Sequence, residues 1–150
     1  MKSLTRFIQE KLIIKKNKYK YFPQTKKELQ DIILQRIKAE GNEVDLNDID
    51  TSNITDMGYL FCKTDNFNGD ISTWGVSNVK DMPYMFSNCE SFNQDISTWD
   101  VSKVTNMYSM FKMCKSFCQD ISSWDVSNVK DSLHIFKNCS LKDKYKPKFK

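Results

Sequence analysis

Residues 70–94, DISTWGVSNVKDMPYMFSNCESFNQ, and residues 95–119, DISTWDVSKVTNMYSMFKMCKSFCQ, are identical at 15 of 25 positions without a gap, and residues 120–139 continue the pattern. A fixed period of this length constrains the fold more than any composition figure. A 25-residue unit with about eight apolar side chains cannot bury them alone, so it has to stack on copies of itself. The recurring positions form ladders: Trp74, Trp99, Trp124; Val79, Val104, Val129; Phe61, Phe86, Phe111, Phe136; Phe67, Phe92, Phe117; and Cys89, Cys114, Cys139. A degenerate half-copy precedes them, with Leu46, Ile49, Ile54 and Met57 in the Ile, Trp, Val and Met slots.

Local chemistry within the unit suggests two elements. The D-I-S-x-W-x-V stretch, rich in β-branched and aromatic residues, predicts a short strand. Met82, Met85, Phe86 and Cys89 fall at i, i+3, i+4 and i+7, which predicts one or two helical turns, with Asp56, Asp81, Asn106 and Asp131 as N-cap residues before each copy. Pro83 falls in the first turn of that stretch, where a missing N–H costs little. The expected fold class is therefore an α/β repeat: a short solenoid of about 3.5 coils whose strands pair in parallel.

Both ends of such a stack expose apolar edges and need covers. Thr25-Lys-Lys-Glu28 is a capping-box pattern, and Leu29, Ile32, Ile33 and Ile37 share one face ahead of Gly41, predicting a capping helix over residues 25–40. Upstream, Leu4, Phe7, Ile8 and Leu12 predict a small amphipathic helix. The expected organisation is residues 1–22 as amphipathic helix and basic linker, 23–44 as N-terminal capping helix, 45–141 as repeat body and 142–150 as a Lys-rich tail. Charge follows these boundaries. Residues 1–44 carry 11 basic and 5 acidic side chains, residues 45–141 carry 7 and 13, and residues 142–150 carry 5 and 1, so the net charge of +4 is an acidic body between two basic ends.

The run Phe92-Asn93-Gln94-Asp95-Ile96-Ser97-Thr98-Trp99-Asp100-Val101-Ser102, followed by Val104, Met107, Met110, Phe111 and Cys114, resembles the repeat of the BspA-like leucine-rich repeat proteins in their DUF285, or bacterial surface protein, branch. The resemblance covers about residues 45–139. It implies a leucine-rich-repeat-like solenoid and a non-enzymatic binding module of the kind found at cell surfaces or encoded by phages. The first residues, with Ile8, Gln9 and Glu10 as the processing site, also resemble the capsid-targeting leaders of phage internal proteins.

The residue types that carry chemistry are few. The chain has no G-x-S-x-G, P-loop, G-x-G-x-x-G or H-E-x-x-H pattern, and its single histidine, His134, occupies the variable slot held by Tyr59, Tyr84 and Ser109. No catalytic residue, metal ligand or cofactor is expected. The Cys89, Cys114 and Cys139 column, like the Trp74, Trp99, Trp124 and Phe86, Phe111, Phe136 columns, is expected to be core packing. The aspartate columns, Asp45, Asp70, Asp95, Asp120 and Asp50, Asp100, Asp125, suggest turn hydrogen bonding in preference to calcium. No apolar run reaches the roughly 18 residues of a membrane span, and the start lacks the apolar core of a secretory signal. These readings lead to a protein partner, from a bacterial host or a virion, recognised through the variable slots Tyr59, Tyr84, Tyr108, Ser109, Lys112 and His134. The expected location is the bacterial cytoplasm or a phage particle. The alternatives are a packaged virion component recruited by the N-terminal helix, an inhibitor of host defence, and a dimer formed by end-to-end stacking. Nucleic acid held by the basic ends, including residues 15–22, is the least favoured partner, because the repeat body is acidic.

Overall fold

A computed structural model describes residues 3–149, the side chains of Lys16 and Asn17 excepted; Met1, Lys2 and Lys150, which belong to the leader-like pattern and the tail, lie outside the described residues. Two α-helices open the chain. Helix α1, Leu4–Lys18, starts on Ser3, whose hydroxyl accepts the Arg6 N–H at 3.3 Å. Helix α2, Lys26–Glu40, starts on Thr25, whose hydroxyl accepts the Glu28 N–H at 3.2 Å while the Glu28 carboxylate accepts the Gln24 N–H at 2.6 Å. Gly41 ends α2 at φ 92°, a conformation that costs glycine little, and its N–H closes on the Ile37 carbonyl. The capping helix thus begins and stops where the sequence signals stand.

The repeat body corrects the expected fold class. Among the described residues there are two α-helices, a 3-10 turn at Asp143–Tyr145 and isolated parallel bridges, with no β-strand and no sheet, so the chain is not an α/β parallel-strand solenoid of the leucine-rich-repeat type. The D-I-S-x-W-x-V stretch is a pair of tight turns. Asp70 Oδ1 accepts the Ser72 N–H at 2.9 Å, and the Trp74 N–H donates to Ile71 O at 3.1 Å, so the aspartate bends the backbone before a strand can extend. The stretch expected to be helical is also built from turns. Leu60, Cys62 and Thr64 donate to the carbonyls of Met57, Tyr59 and Phe61, three residues back, while the alternate N–H groups of Met57, Tyr59, Phe61 and Lys63 donate to the next copy, at Asp81, Pro83, Met85 and Ser87. A helix would direct every N–H back along its own chain. Here half of them cross between copies. The same ladder joins Met82, Tyr84, Phe86 and Asn88 to Asn106, Tyr108, Met110 and Lys112, and then Met107, Ser109, Phe111 and Met113 to Asp131, Leu133, Ile135 and Lys137.

Successive copies therefore stack in register, with parallel bridges at Asp45–Asp70, Asp56–Asp81, Asp81–Asn106 and Asn106–Asp131. Each ladder of the sequence becomes a column. Phe61, Phe86, Phe111 and Phe136 stack at centroid separations of 5.5, 5.5 and 5.7 Å, and Phe67, Phe92 and Phe117 at 6.2 and 5.9 Å. The indole N–H groups of Trp74, Trp99 and Trp124 donate to the carbonyls of Leu46, Ile71 and Ile96, each 28 residues earlier, so each buried ring also satisfies its one donor. On another side, Asn68 Oδ1 accepts the Asn93 N–H at 2.9 Å and Asn93 Oδ1 accepts the Cys118 N–H at 3.0 Å.

The stack is covered at both ends. At the first copy, Leu29 and Ile33 of α2 are buried in the core, and Arg36 binds Asp48 Oδ1 at 2.8 Å and Asp45 O at 2.9 Å with its guanidinium over the Tyr21 ring. At the last copy, the Lys-rich tail is a cover in its own right: Leu141 and Pro147 are buried, the Ile121 N–H donates to Tyr145 O, and Lys146 Nζ lies 5.5 Å from the Phe136 ring centroid.

Candidate functional site

The turns that stack the copies also set which side chains reach solvent. Tyr59, Tyr84, Ser109 and His134 occupy one slot of the repeat and all have positive φ, between 52° and 65°. That is the left-handed region, uncommon for residues with a Cβ. In the Tyr59 copy the preceding Gly58 is packed against Pro83 of the next copy, where a Cβ would meet the proline ring at 3.0 Å. The backbone before Tyr59 is thus held against the next copy, to which the Tyr59 N–H also donates at Pro83 O.

The outcome is a row of rings across four copies. Tyr59 and Tyr84 stack at 4.8 Å and 18°, Tyr84 and Tyr108 are tilted at 5.2 Å, and Tyr108 meets His134 edge-on at 6.1 Å. Tyr59 is 52% exposed and His134 is exposed, with Tyr84 and Tyr108 half-buried between them. At the Tyr59 end the Lys26 ammonium lies 6.0 Å from the ring centroid and pairs with Asp56 at 3.0 Å. At the other end Leu133 is 59% exposed. Tyr108, first through a hydrogen bond between the two side chains, raises the Tyr84 phenol above its ordinary value.

Two of the residues expected in this row are not exposed in it. Ser109 keeps the backbone of the slot, donating its N–H to Leu133 O as Tyr59 and Tyr84 do to Pro83 O and Tyr108 O, but it is 1% exposed, and Tyr108, one residue earlier, supplies the ring in that copy. Lys112 is half-buried, and its carbonyl accepts the Asn88 N–H. Lys26 was not foreseen, since it comes from the capping helix and no repeat position marks it.

The remaining candidates are occupied by structure. Asp45, Asp50, Asp56, Asp70, Asp95, Asp100, Asp120, Asp125 and Asp131 each accept the backbone N–H of the residue two places on, at 2.7 to 3.1 Å. The side chains of Ser97, Ser102 and Ser122, and then these backbone bonds, hold Asp95, Asp100 and Asp120 below the usual carboxylate range. Cys89 and Cys114 are fully buried and donate to Thr64 O and Phe86 O; burial pushes the Cys89 thiol up to about 12 and raises Cys114 and Cys139 as well. They are thiols, not thiolates, at neutral pH. Trp74, Trp99, Trp124, Phe86 and Phe111 lie in the buried core with Phe136 and Cys139 packed at its margin. Among the described residues no group of three or more His, Cys, Asp or Glu is placed to hold a metal ion. Ile8, Gln9 and Glu10 lie inside α1, where Glu10 pairs with Arg6 at 3.2 Å.

No characterised protein and no solved structure matches the chain. The family described as "Mycoplasma protein of unknown function, DUF285" matches residues 28–148, which takes in most of α2, every copy of the repeat and the covering tail. With the match spanning well over half its length, the chain belongs to the DUF285 family.

Proposed function

We propose that the protein is a non-enzymatic module that binds another protein through the Tyr59, Tyr84, Tyr108 and His134 row. The observation that carries this reading is the continuity of that row: four rings from four copies meet one another at the surface, between the Lys26 ammonium and the exposed Leu133. Tyrosines on a rigid support contribute large contact area at little entropic cost, and they are enriched at protein interfaces. Ring-on-ring stacking occupies the inner faces of Tyr59 and Tyr84, which favours contact through edges and hydroxyls over the intercalation of a base or sugar. The excess of acidic side chains in residues 45–141 favours a partner whose rim is basic. A non-enzymatic reading is supported by the neutral buried cysteines and by His134, whose ring contact is Tyr108.

The test is site-specific photo-crosslinking in extract of the producing cell. A photoreactive phenylalanine at Tyr59 or Tyr108 is expected to capture the same single protein, the same residue at Lys115 to capture none, and Tyr84→Ala to abolish capture. Equal capture from Lys115, or none from the row, contradicts the reading.

A further inference from the structure

Helix α1 is the part of the molecule that neither the stack nor the tyrosine row uses. Its apolar side chains face outward: Leu4 is 73% exposed, Phe7 and Ile8 49%, Leu12 52%, Ile13 58% and Ile14 66%. On a helical wheel all but Ile13 fall within one half of the circumference, an arc they share with Lys11, Lys15 and Lys18. The helix also carries Arg6, Lys11, Lys15, Lys16 and Lys18 against Glu10, a net charge of +4, with no acidic side chain in its first turn to offset the positive end of the helix dipole. Its C-terminal half is tied to the body, where Lys15 pairs with Asp50 at 2.5 Å and with the Ser52 hydroxyl at 3.1 Å. Leu12 and the exposed Phe22 line an open groove with Asp50, so the apolar stripe continues from the helix onto the body.

The arrangement of charge selects the occupant. Lys11 lies between Phe7, Ile8 and Leu12 on the apolar side, with its ammonium 5.0 Å from the Phe7 ring centroid. A closed protein groove, or a second α1 laid against this one, would bury that ammonium against other cations or apolar groups, at high cost. A nucleic acid would satisfy the lysines and leave the leucine and isoleucines in water. A lipid interface accommodates both, because the apolar side chains enter the acyl boundary while Lys11 and the other cations not held by the body, as Lys15 is by Asp50, extend to anionic headgroups. We propose that α1 is an interfacial anchor that binds anionic lipid surfaces and holds the repeat body beside the membrane. Among the described residues no helix is long and apolar enough to cross one, so the contact is peripheral.

The experiment is flotation of the full chain with vesicles of phosphatidylcholine alone or with about one-third phosphatidylserine. The expected result is at least about tenfold stronger partition onto the anionic vesicles, weakened by salt, and a loss of about tenfold or more in Phe7→Glu/Leu12→Glu with thermal unfolding of the body unchanged. A second variant, Lys11→Glu, reads the charge without altering the apolar side chains and is expected to weaken binding to anionic vesicles. Absence of vesicle binding overturns the proposal. So does binding that Phe7→Glu/Leu12→Glu leaves intact, which would assign it to the lysines of the tail, and so does capture by single-stranded RNA in place of vesicles.

Discussion

A single side chain in this protein acts mainly through its column. Trp99 is 4% exposed, contacts the Phe86 ring at 6.3 Å and donates to Ile71 O at 3.4 Å, so it belongs to two copies at once. Trp99→Ala is expected to lose about 3–5 kcal/mol of unfolding free energy in a denaturant titration, through the cavity and the orphaned carbonyl. Lys115→Ala, which removes an exposed pair with Glu90 at 2.6 Å, should lose less than about 1 kcal/mol in the same titration. The backbone offers a gain instead. Lys63, at φ 63°, shares its slot with Asn88, Met113 and Asn138, all at positive φ, and asparagine tolerates that region better than lysine does. Lys63→Asn is expected to raise the thermal midpoint, corresponding to about 0.5–1 kcal/mol. The row reads differently at this scale. Tyr59, Tyr84 and His134 were visible as variable positions of one slot, but spacing alone could not tell that Ser109 is buried and that Tyr108 supplies the ring of that copy, because that depends on which neighbour fills the space.

Among the elements, the helices and the turns differ in how openly the sequence declares them. Thr25, Glu28 and Gly41 bound α2 because capping chemistry is local and one residue decides it. The turns of the repeat were not legible. β-branched residues next to tryptophan suggest a strand, and a methionine–phenylalanine spacing suggests a helix, yet the Asp or Asn at the head of these segments takes the N–H two residues on and commits the backbone to a turn, Asp81 excepted because Pro83 follows it. What holds α2 on the first copy is partly ionic. Burial alone would raise the pKa of Asp48, but hydrogen bonds and charge from Arg36 and Lys20 outweigh it and hold the carboxyl below its ordinary 3.8; Asp50, beside Lys15, behaves alike. A depressed carboxyl pKa contributes stability that is present above the unfolded value and lost as pH falls through the folded one. Stability should therefore decline below about pH 4. Asp48→Asn is expected to cost about 1 kcal/mol at neutral pH and to flatten that acid limb, as read by urea midpoints across pH.

Taken whole, the molecule is a row of stacked turns with a helical cover at one end and a folded lysine tail at the other. Its stacking direction is written into the hydrogen bonds. N–H groups at every second position of one copy reach the carbonyls of the next, so each interior copy is held on both sides, while in the last copy the ladder carbonyls accept and the ladder N–H groups of Ser132, His134, Phe136 and Asn138 have no further copy to reach among the described residues. The 25-residue period announced the stacking and its register, because a repeat that cannot close its own core leaves no other arrangement. It said nothing of the backbone between the columns, nor that the basic ends are themselves folded, as the two helices at one end and a tail packed on Phe136 at the other. Amide hydrogen exchange followed by NMR tests this architecture most directly. The account predicts slow exchange at Met82, Tyr84, Phe86 and Asn88 and at Met107, Ser109, Phe111 and Met113, with fast exchange at the equivalent Ser132, His134, Phe136 and Asn138. Equal protection of all three sets, or fast exchange throughout, would contradict it.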